Sequence, residues 1–455
     1  MITVIGLDGS PLGPDAAAAV AAATLVVGGR RQLAAAGVAP GTRTVELGPV
    51  APAVAELVGH AGDAVVLASG DPGFFGILRC LRERGLACAV WPAVSSVALA
   101  FARAGLPWDD AQVVSAHGRD ARPAINVCRA YPKVAVLTGP GCGPAELGVA
   151  LAGWPRRLLV AERLGSPDER ITACSPAEAA GRDWAIPNVV LVLADVPPPA
   201  GPGWAWPAVA GHTAVPGAPG GWALPEEDFD QRDCVITKAE VRALALARLA
   251  PGPGQLIWDV GAGSGSVGVE CARFGAAVIA VERDRRRCGR VEDNARRHGV
   301  AVRLVAGEAP AVLAALPDPD AVFVGGGGAL VVAAVAARRP ARVVAALAAV
   351  ERTGPVHETL AAAGYAVEGV LVQAARLSPL PGGVHRLGAL NPVFLLWATK
   401  TPVADRPGGP ADRPGGLADR ADPAGRGGGP ADRAGGPADR AGPAGGAGSA
   451  GGGLG

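Results

Sequence analysis

Short apolar runs that stop abruptly at glycine or at an acid alternate along this chain with stretches of helical spacing, and that alternation predicts an α/β protein. The sharpest example is Gln255 to Val260, whose β-branched and aromatic residues read as a buried parallel strand. It ends in Gly261, Gly263 and Gly265, and Val267 to Phe274 continues with helical period, so the glycines fall at a strand-to-helix turn. Glycine at such a turn lets a ligand approach the backbone, because no Cβ stands in the way. Ala276 to Val281 is a second apolar strand ending at Glu282, and Val302 to Ala306 is a third that runs into Gly307-Glu308-Ala309-Pro310. Helical spacing also covers Ala239 to Leu249.

The N-terminal part carries its own alternation. Ile2 to Ile5 predicts a strand, Asp15 to Ala23 a helix, and Ala64 to Ala68 a strand leading into Ser69-Gly70-Asp71-Pro72-Gly73-Phe74-Phe75-Gly76. A Gly-Asp-Pro turn before a helix near Gly76 is rigid and leaves backbone exposed to line a cleft. Ser95 and Ser96 then precede an amphipathic helix as caps, followed by Ser115-Ala116-His117-Gly118-Arg119.

The pattern breaks twice. From Pro197 to about Gly221 proline and glycine dominate, as in a semi-extended linker. From Pro402 to Gly455 the chain repeats variants of Ala-Asp-Arg-Pro-Gly-Gly with almost nothing to bury, so this tail is expected to be disordered. The breaks predict four segments: residues 1–196, a linker 197–225, residues 226–400 and a tail 401–455.

Composition narrows the function classes. A net charge of +1 demands neither nucleic acid nor an anionic membrane surface as partner. The eight cysteines form no C-x-x-C pair and no Cys/His cluster, so no metal site and no disulfide framework is expected, and they read as small buried residues of a cytoplasmic protein. The opening Met1-Ile2-Thr3-Val4-Ile5-Gly6 lacks the basic region and cleavage site of a signal peptide, so none is expected, and without a run of about twenty uninterrupted apolar residues no membrane span is expected either.

Asp259, just ahead of the glycines, separates this loop from a plain dinucleotide turn. The sequence Asp259-Val260-Gly261-Ala262-Gly263-Ser264-Gly265 resembles the D-x-G-x-G-x-G loop of class I S-adenosylmethionine (SAM) methyltransferases. The resemblance implies cofactor binding by Asp259, Gly261, Gly263 and Gly265, with Glu282, about twenty residues on, taking the ribose hydroxyls. It further implies that Glu308 meets the adenine. A solvated surface acid is the alternative for Glu282.

The N-terminal motifs, with Thr138-Gly139-Pro140, resemble those of the precorrin methylases, tetrapyrrole SAM methyltransferases with a two-lobed α/β fold, in the branch that methylates carbon 5. Gly70, Asp71, Pro72, Ser95, Ser96 and Thr138 are then expected at the cofactor. Ala93 departs from that family's usual glycine. The second block, through Cys234 to Arg242, the glycine loop, Val322 to Gly327 and Asn391 to Leu396, resembles the decarboxylating methyltransferases that act at carbon 15, with a class I Rossmann-like fold. Ile236 and Glu308 stand where that family often has Met and Asp.

Joined in this order, the resemblances imply methylation of a precorrin at carbons 5 and 15 with loss of the ring-C acetate carboxyl, in cobalamin biosynthesis. They also imply two SAM sites per chain and a small-molecule tetrapyrrole substrate, and a homo-oligomer is expected. In-line methyl transfer needs alignment more than a strong base, so no catalytic triad is expected. Thr237 and Lys238 are the candidates for the decarboxylating site, walled by the glycines after Val324 and by a loop from Leu377 to Arg386; a plain surface lysine is the alternative for Lys238. A substrate rich in carboxylates calls for arginine forks and other donors. His117, Arg119 and Arg122 in the first block and Arg376, His385 and Arg386 in the second are the candidates. Two other readings stay open: a second half acting on RNA, and a first half that only scaffolds.

Overall fold

The computed structural model describes residues 1–48, 50–195, 221–231 and 236–401. The tail, most of the linker, and Cys234 and Val235 of the quoted motif lie outside the described residues.

Two lobes make the N-terminal half. The first has strands β1 Ile2–Leu7, β2 Leu25–Gly28, β3 Arg43–Glu46, β4 Ala64–Ser69 and β5 Cys88–Trp91. They form one parallel sheet in the order β3-β2-β4-β1-β5. Its helices are α1 Pro14–Ala22, α2 Arg30–Ala35, α3 Val50–Val58 and α4 Leu78–Glu83. The second lobe has β6 Gln112–Ser115, β7 Lys133–Leu137, β8 Arg156–Glu162, β9 Arg170–Cys174 and β10 Asn188–Ala194. Its order is β6-β7-β10-β8-β9, parallel only between β6 and β7. Helices α5 Ser96–Ala104, α6 Ala121–Ala130, α7 Pro144–Ala150 and α8 Pro176–Ala180 accompany it.

The C-terminal half is one seven-stranded sheet in the order β13-β12-β11-β14-β15-β19-β16. Its strands are β11 Leu256–Val260, β12 Ala277–Glu282, β13 Arg303–Ala306, β14 Ala321–Val324, β15 Arg342–Leu347, β16 Tyr365–Val372 and β19 Val393–Lys400. Only β19 runs antiparallel to its neighbours. The inner parallel strands β12, β11, β14 and β15 read as continuous apolar runs because both faces are covered. Alternate residues divide between the faces: Ile257, Val278 and Phe323 meet α9 Ala239–Leu249 and α10 Ser266–Arg273. Trp258, Ile279 and Val322 face the opposite side, where α12 Gly328–Ala337 and α13 Thr353–Ala362 pack. Helix α11 Arg285–Arg297 lies beside α10 and sends Ala295 into a small cluster with Leu224 and Phe229.

One stretch differs from expectation: Leu377 to Arg386, read as a loop, is largely a hairpin of β17 Ala375–Pro379 and β18 His385–Ala389, turning at Gly382 and Gly383 with positive φ. The core on the Trp258 face also takes in Trp154 of the first half, with Ala130 packed against it.

The chain after the linker is anchored by a fully buried ion pair. Arg242 on α9 donates to Glu270 on α10 at 2.5 Å, and Glu270 also accepts from the backbone N–H groups of Ala223 and Leu224 at 2.6 and 3.0 Å. Phe229 lies under the Arg242 guanidinium, 4.8 Å from ring centroid to Cζ. Every Glu270 oxygen is thus supplied with donors, without which a buried carboxylate would be strongly destabilising. Among the described residues, no helix is long and apolar enough to cross a membrane.

Candidate functional sites

In the C-terminal half strand order reverses between β11 and β14, which opens a crevice beyond the carboxyl ends of these strands. The glycine loop fills the end of β11. Gly261, Gly263 and Gly265 all have positive φ, 76°, 61° and 76°, a conformation that residues with a Cβ rarely adopt. This is the physical reason for glycine at these positions, and it turns the loop back toward α10.

Two buried carboxylates hold that loop. Asp259 accepts from Gly268 N–H on α10 at 2.8 Å, while its Oδ1 is buried with no hydrogen-bond partner among the described residues. Burial, the larger cause, with the nearby charge of Glu282, raises its pKa from 3.8 to about 7 against the bond from Gly268. Glu282, only 4% exposed, accepts from Gly263 N–H at 2.8 Å and from Asp284 N–H at 2.9 Å. It thus sits against the loop at the end of β12. Glu308 is different: its side chain is 69% exposed and pairs with Arg283 at 3.0 Å.

The candidates for decarboxylation sit at the start of α9. Lys238 occupies the N-cap, and the Thr237 carbonyl accepts from Arg242 at 2.6 Å. Next to them lies a network that sequence reading missed. Glu226 accepts from Ala239 N–H at 2.9 Å, and Arg376 on β17 donates to both Glu226 and Glu240 through four bonds of 2.7 to 2.8 Å. The Arg376 hydrogen bonds hold the Glu226 carboxyl down at about 2. Arg376 therefore ties the hairpin to the Thr237–Lys238 segment, and its fork is already filled by protein carboxylates. Glu240 lay within the quoted motif, but its partner stands 136 positions away. His385 and Arg386 are exposed on β18.

In the N-terminal half a cavity of about 610 Å³ lies between the two lobes. Gly70, Asp71, Ser95, Ser96, Thr138 and His117 line it, which brings together residues far apart in sequence. Volumes of this order suit a small organic ligand. Pro72 is buried beneath the turn. Asp71 accepts from Gly73 N–H at 2.8 Å, Ser95 accepts from Ala98 N–H at 3.1 Å as the cap of α5, and Thr138 donates to Asn188 Oδ1 at 2.8 Å. A Cβ on Gly6, near the end of β1, would stand 2.2 Å from the Gly70 carbonyl and 2.6 Å from Ala93 N, so the close approach of these segments requires glycine there. Ala93 is tolerated because its φ is not positive and its methyl sits over that glycine.

Arg119 places its guanidinium 6.0 Å from the ring centroid of Phe75, which borders the cavity. Phe75 takes φ +55°, a strained value for an aromatic residue. Arg122 turns away and pairs with Asp320 of the second half at 3.2 Å, so it is not available to a substrate in the cavity. Phe74 and Ser115, within the two motif stretches, also line the cavity, as does Asn188, which was not singled out from sequence. Asn188 opens β10 and carries no pattern that distinguishes it from an ordinary strand end.

A two-lobed half beside a seven-stranded sheet carrying an acid-anchored glycine loop defines the class: a SAM-dependent methyltransferase of tetrapyrroles. Residues 7–180 match the family model for tetrapyrrole (corrin/porphyrin) methylases, and residues 228–400 match that for the precorrin methyltransferase domain. A precorrin-6Y C(5,15)-methyltransferase (decarboxylating) of Sinorhizobium sp is 38% identical over 342 residues, which is 71% of this chain and 78% of that protein. A probable cobalt-precorrin-6B C(15)-methyltransferase (decarboxylating) of Pyrobaculum calidifontis is 39% identical over 38% of this chain and 94% of its own length. A cobalt-precorrin-7 C(5)-methyltransferase of Salmonella typhimurium is 33% identical over 42% of this chain and 98% of its own length. The chain belongs to the precorrin-6Y C(5,15)-methyltransferase (decarboxylating) family.

Two predictions follow from the acids. Hydrogen bonds to a charged acceptor contribute about 1.5–3 kcal/mol each. Glu282→Ala should therefore weaken SAM at the second half by roughly tenfold to a few hundredfold in calorimetric titration, and unchanged affinity would make Glu282 a purely structural acid. For Asp259 the folded value lies above the unfolded one, so the native state holds a proton that the unfolded chain has lost between pH 3.8 and about 7. Stability contributed by this group therefore falls as pH rises through that window. Asp259→Asn should melt higher than the parent at about pH 8 and close to it at about pH 4. An equal offset at both pH values would contradict the burial argument.

Proposed function

We propose that the chain carries out two SAM-dependent methylations of one precorrin, converting precorrin-6B to precorrin-8X. The N-terminal cavity methylates carbon 5, and the C-terminal crevice methylates carbon 15 and releases the ring-C acetate carboxyl as carbon dioxide. The observation that carries this reading is one chain holding two unlike sites, the Gly70–Ser95 cavity between two lobes and the glycine loop over two buried acids.

The residues fit SAM at both places. Three positive-φ glycines leave the loop backbone bare, Glu282 stands beside it, and the N-terminal cavity is lined by backbone and hydroxyl groups able to seat a polar ligand. SAM supplies an electrophilic methyl on sulfur. The chain supplies alignment, which in well-oriented systems is worth up to about 7–11 kcal/mol of barrier. The loop, held at Gly263 by Glu282 and spanned by the bond from α10 to Asp259, is the rigid platform for that alignment.

For decarboxylation the carbon–carbon bond to the carboxyl breaks, carbon dioxide leaves, and its electron pair enters the conjugated macrocycle before a proton is taken up at carbon. The segment Thr237–Lys238 is the candidate wall here. Its position is fixed by Arg242 on one side and by Glu226 and Arg376 on the other. His117 and Arg119 at the first site, and His385 and Arg386 at the second, are the remaining candidates for binding the substrate's carboxylates.

Incubation of the full chain with the reduced precorrin substrate and SAM, followed by mass analysis, tests the reading. The expected product has gained two methyl groups and lost one carbon dioxide. A product with a single methyl and its carboxyl intact would overturn the assignment to the C-terminal half, and one that is decarboxylated but singly methylated would overturn that of the first.

A further inference from the structure

The two faces of the C-terminal sheet are not covered alike. Helices α9, α10 and α11 protect one face from β13 across to β15. On the other, α12 and α13 cover the β14–β16 side, but the connection between β13 and β14 makes only a 3-10 turn, Leu313–Ala315. A crossover between parallel strands ordinarily supplies a helix there. On that side Leu256, Trp258, Ala277 and Ile279 share a cluster with Leu313 and Leu316 of the connection, and the Arg338 guanidinium stands 5.8 Å from the Trp258 ring, with no helix of the connection over them.

The first half fills that gap. Trp154, 4% exposed, joins the cluster of Leu256, Trp258, Ala277 and Ile279, and Ala130 at the end of α6 packs against it. Arg129 fixes the two contributors to each other: its guanidinium lies 5.9 Å from the Trp154 ring and donates to the Ala150 carbonyl at 2.8 Å and to Asn126 at 2.9 Å. Around this apolar contact runs a polar edge. Asn126 donates to the Gly254 carbonyl at 3.0 Å, Arg122 pairs with Asp320 at 3.2 Å, and Asp320 also accepts from Leu256 N–H at 2.7 Å. Gly254 has Pro123 so close that an added Cβ would stand 3.2 Å away, and the Arg303 guanidinium lies against Gly153 in the same way, at 3.0 Å.

We propose that α6 and Trp154 serve as the missing crossover helix of the C-terminal sheet, so that the two methyltransferase halves form one permanently docked body and the linker is not what keeps them together. The partner this sheet face fits is thus the first half of the same chain. Gly254, Arg303 and Asp320 mark the amino ends of β11, β13 and β14, whereas the glycine loop follows the carboxyl end of β11. Docking therefore leaves the cofactor crevice open.

The test uses the full chain with a protease site placed between residues 201 and 215, cut and then examined by sedimentation at micromolar concentration. The parent should sediment after cutting as one species containing both halves. Ala130→Glu, which sets a carboxylate against the apolar cluster, and separately Arg122→Glu, which opposes Asp320 with a like charge, should weaken the cut pair. The first should do so by at least a hundredfold, the second by several-fold. Arg122→Glu lies on the exposed side of α6 and keeps the test valid if Ala130→Glu fails to fold. Separation of the parent's halves on cutting would overturn the proposal, as would an Arg122→Glu pair as tight as the parent.

Discussion

A parallel sheet has to be covered on both faces, because each of its strands is apolar on both sides. That requirement organises the C-terminal half. The chain moves outward from β11 to β13, then returns to β14 and on to β15, and this reversal between β11 and β14 opens the crevice in which the glycine loop sits. The same requirement also accounts for Trp154 of the first half lying in the same cluster as Trp258. The site and the docking of the halves thus answer one constraint at opposite ends of the same strands.

Charge is buried where it holds something in place. Arg242 and Glu270 are both fully buried and clamp the chain where it emerges from the linker, while Asp259 and Glu282 hold the glycine loop. These pairs differ in energy. The Glu270 carboxylate is surrounded by donors, whereas Asp259 leaves one oxygen without any and its proton is correspondingly harder to remove. An acid kept under a ligand loop at the expense of stability is the pattern expected of a functional position. The same logic separates Glu282 from Glu308, since only the first is enclosed by backbone donors.

Much of this was legible in the residues. The glycine loop and Glu282 could be found because an apolar strand that stops at an acid or a glycine is a local signal. Helix α9 fell on its expected bounds of Ala239–Leu249, and β4 ran one residue beyond the expected Ala68. What could not be read was set by distant partners. Arg376 looks from sequence like a free fork, and only the fold brings it onto Glu226, 150 positions away. Arg122 sits close to His117 and Arg119 in sequence but turns outward because Asp320 of the other half faces it. Trp154 and Ala130 carry no periodic pattern that would announce an interface. The hairpin from β17 to β18 escaped because its strands are short and exposed, so burial imposes no alternation on them.

The proposed function requires two independent methyl-donor sites, built on unrelated folds, in one chain. The deciding measurement is the number of SAM equivalents bound per full chain at saturation, by equilibrium dialysis with labelled SAM. Two equivalents are expected for the parent. A single equivalent would mean that one half is only a scaffold for the other and would overturn the proposal.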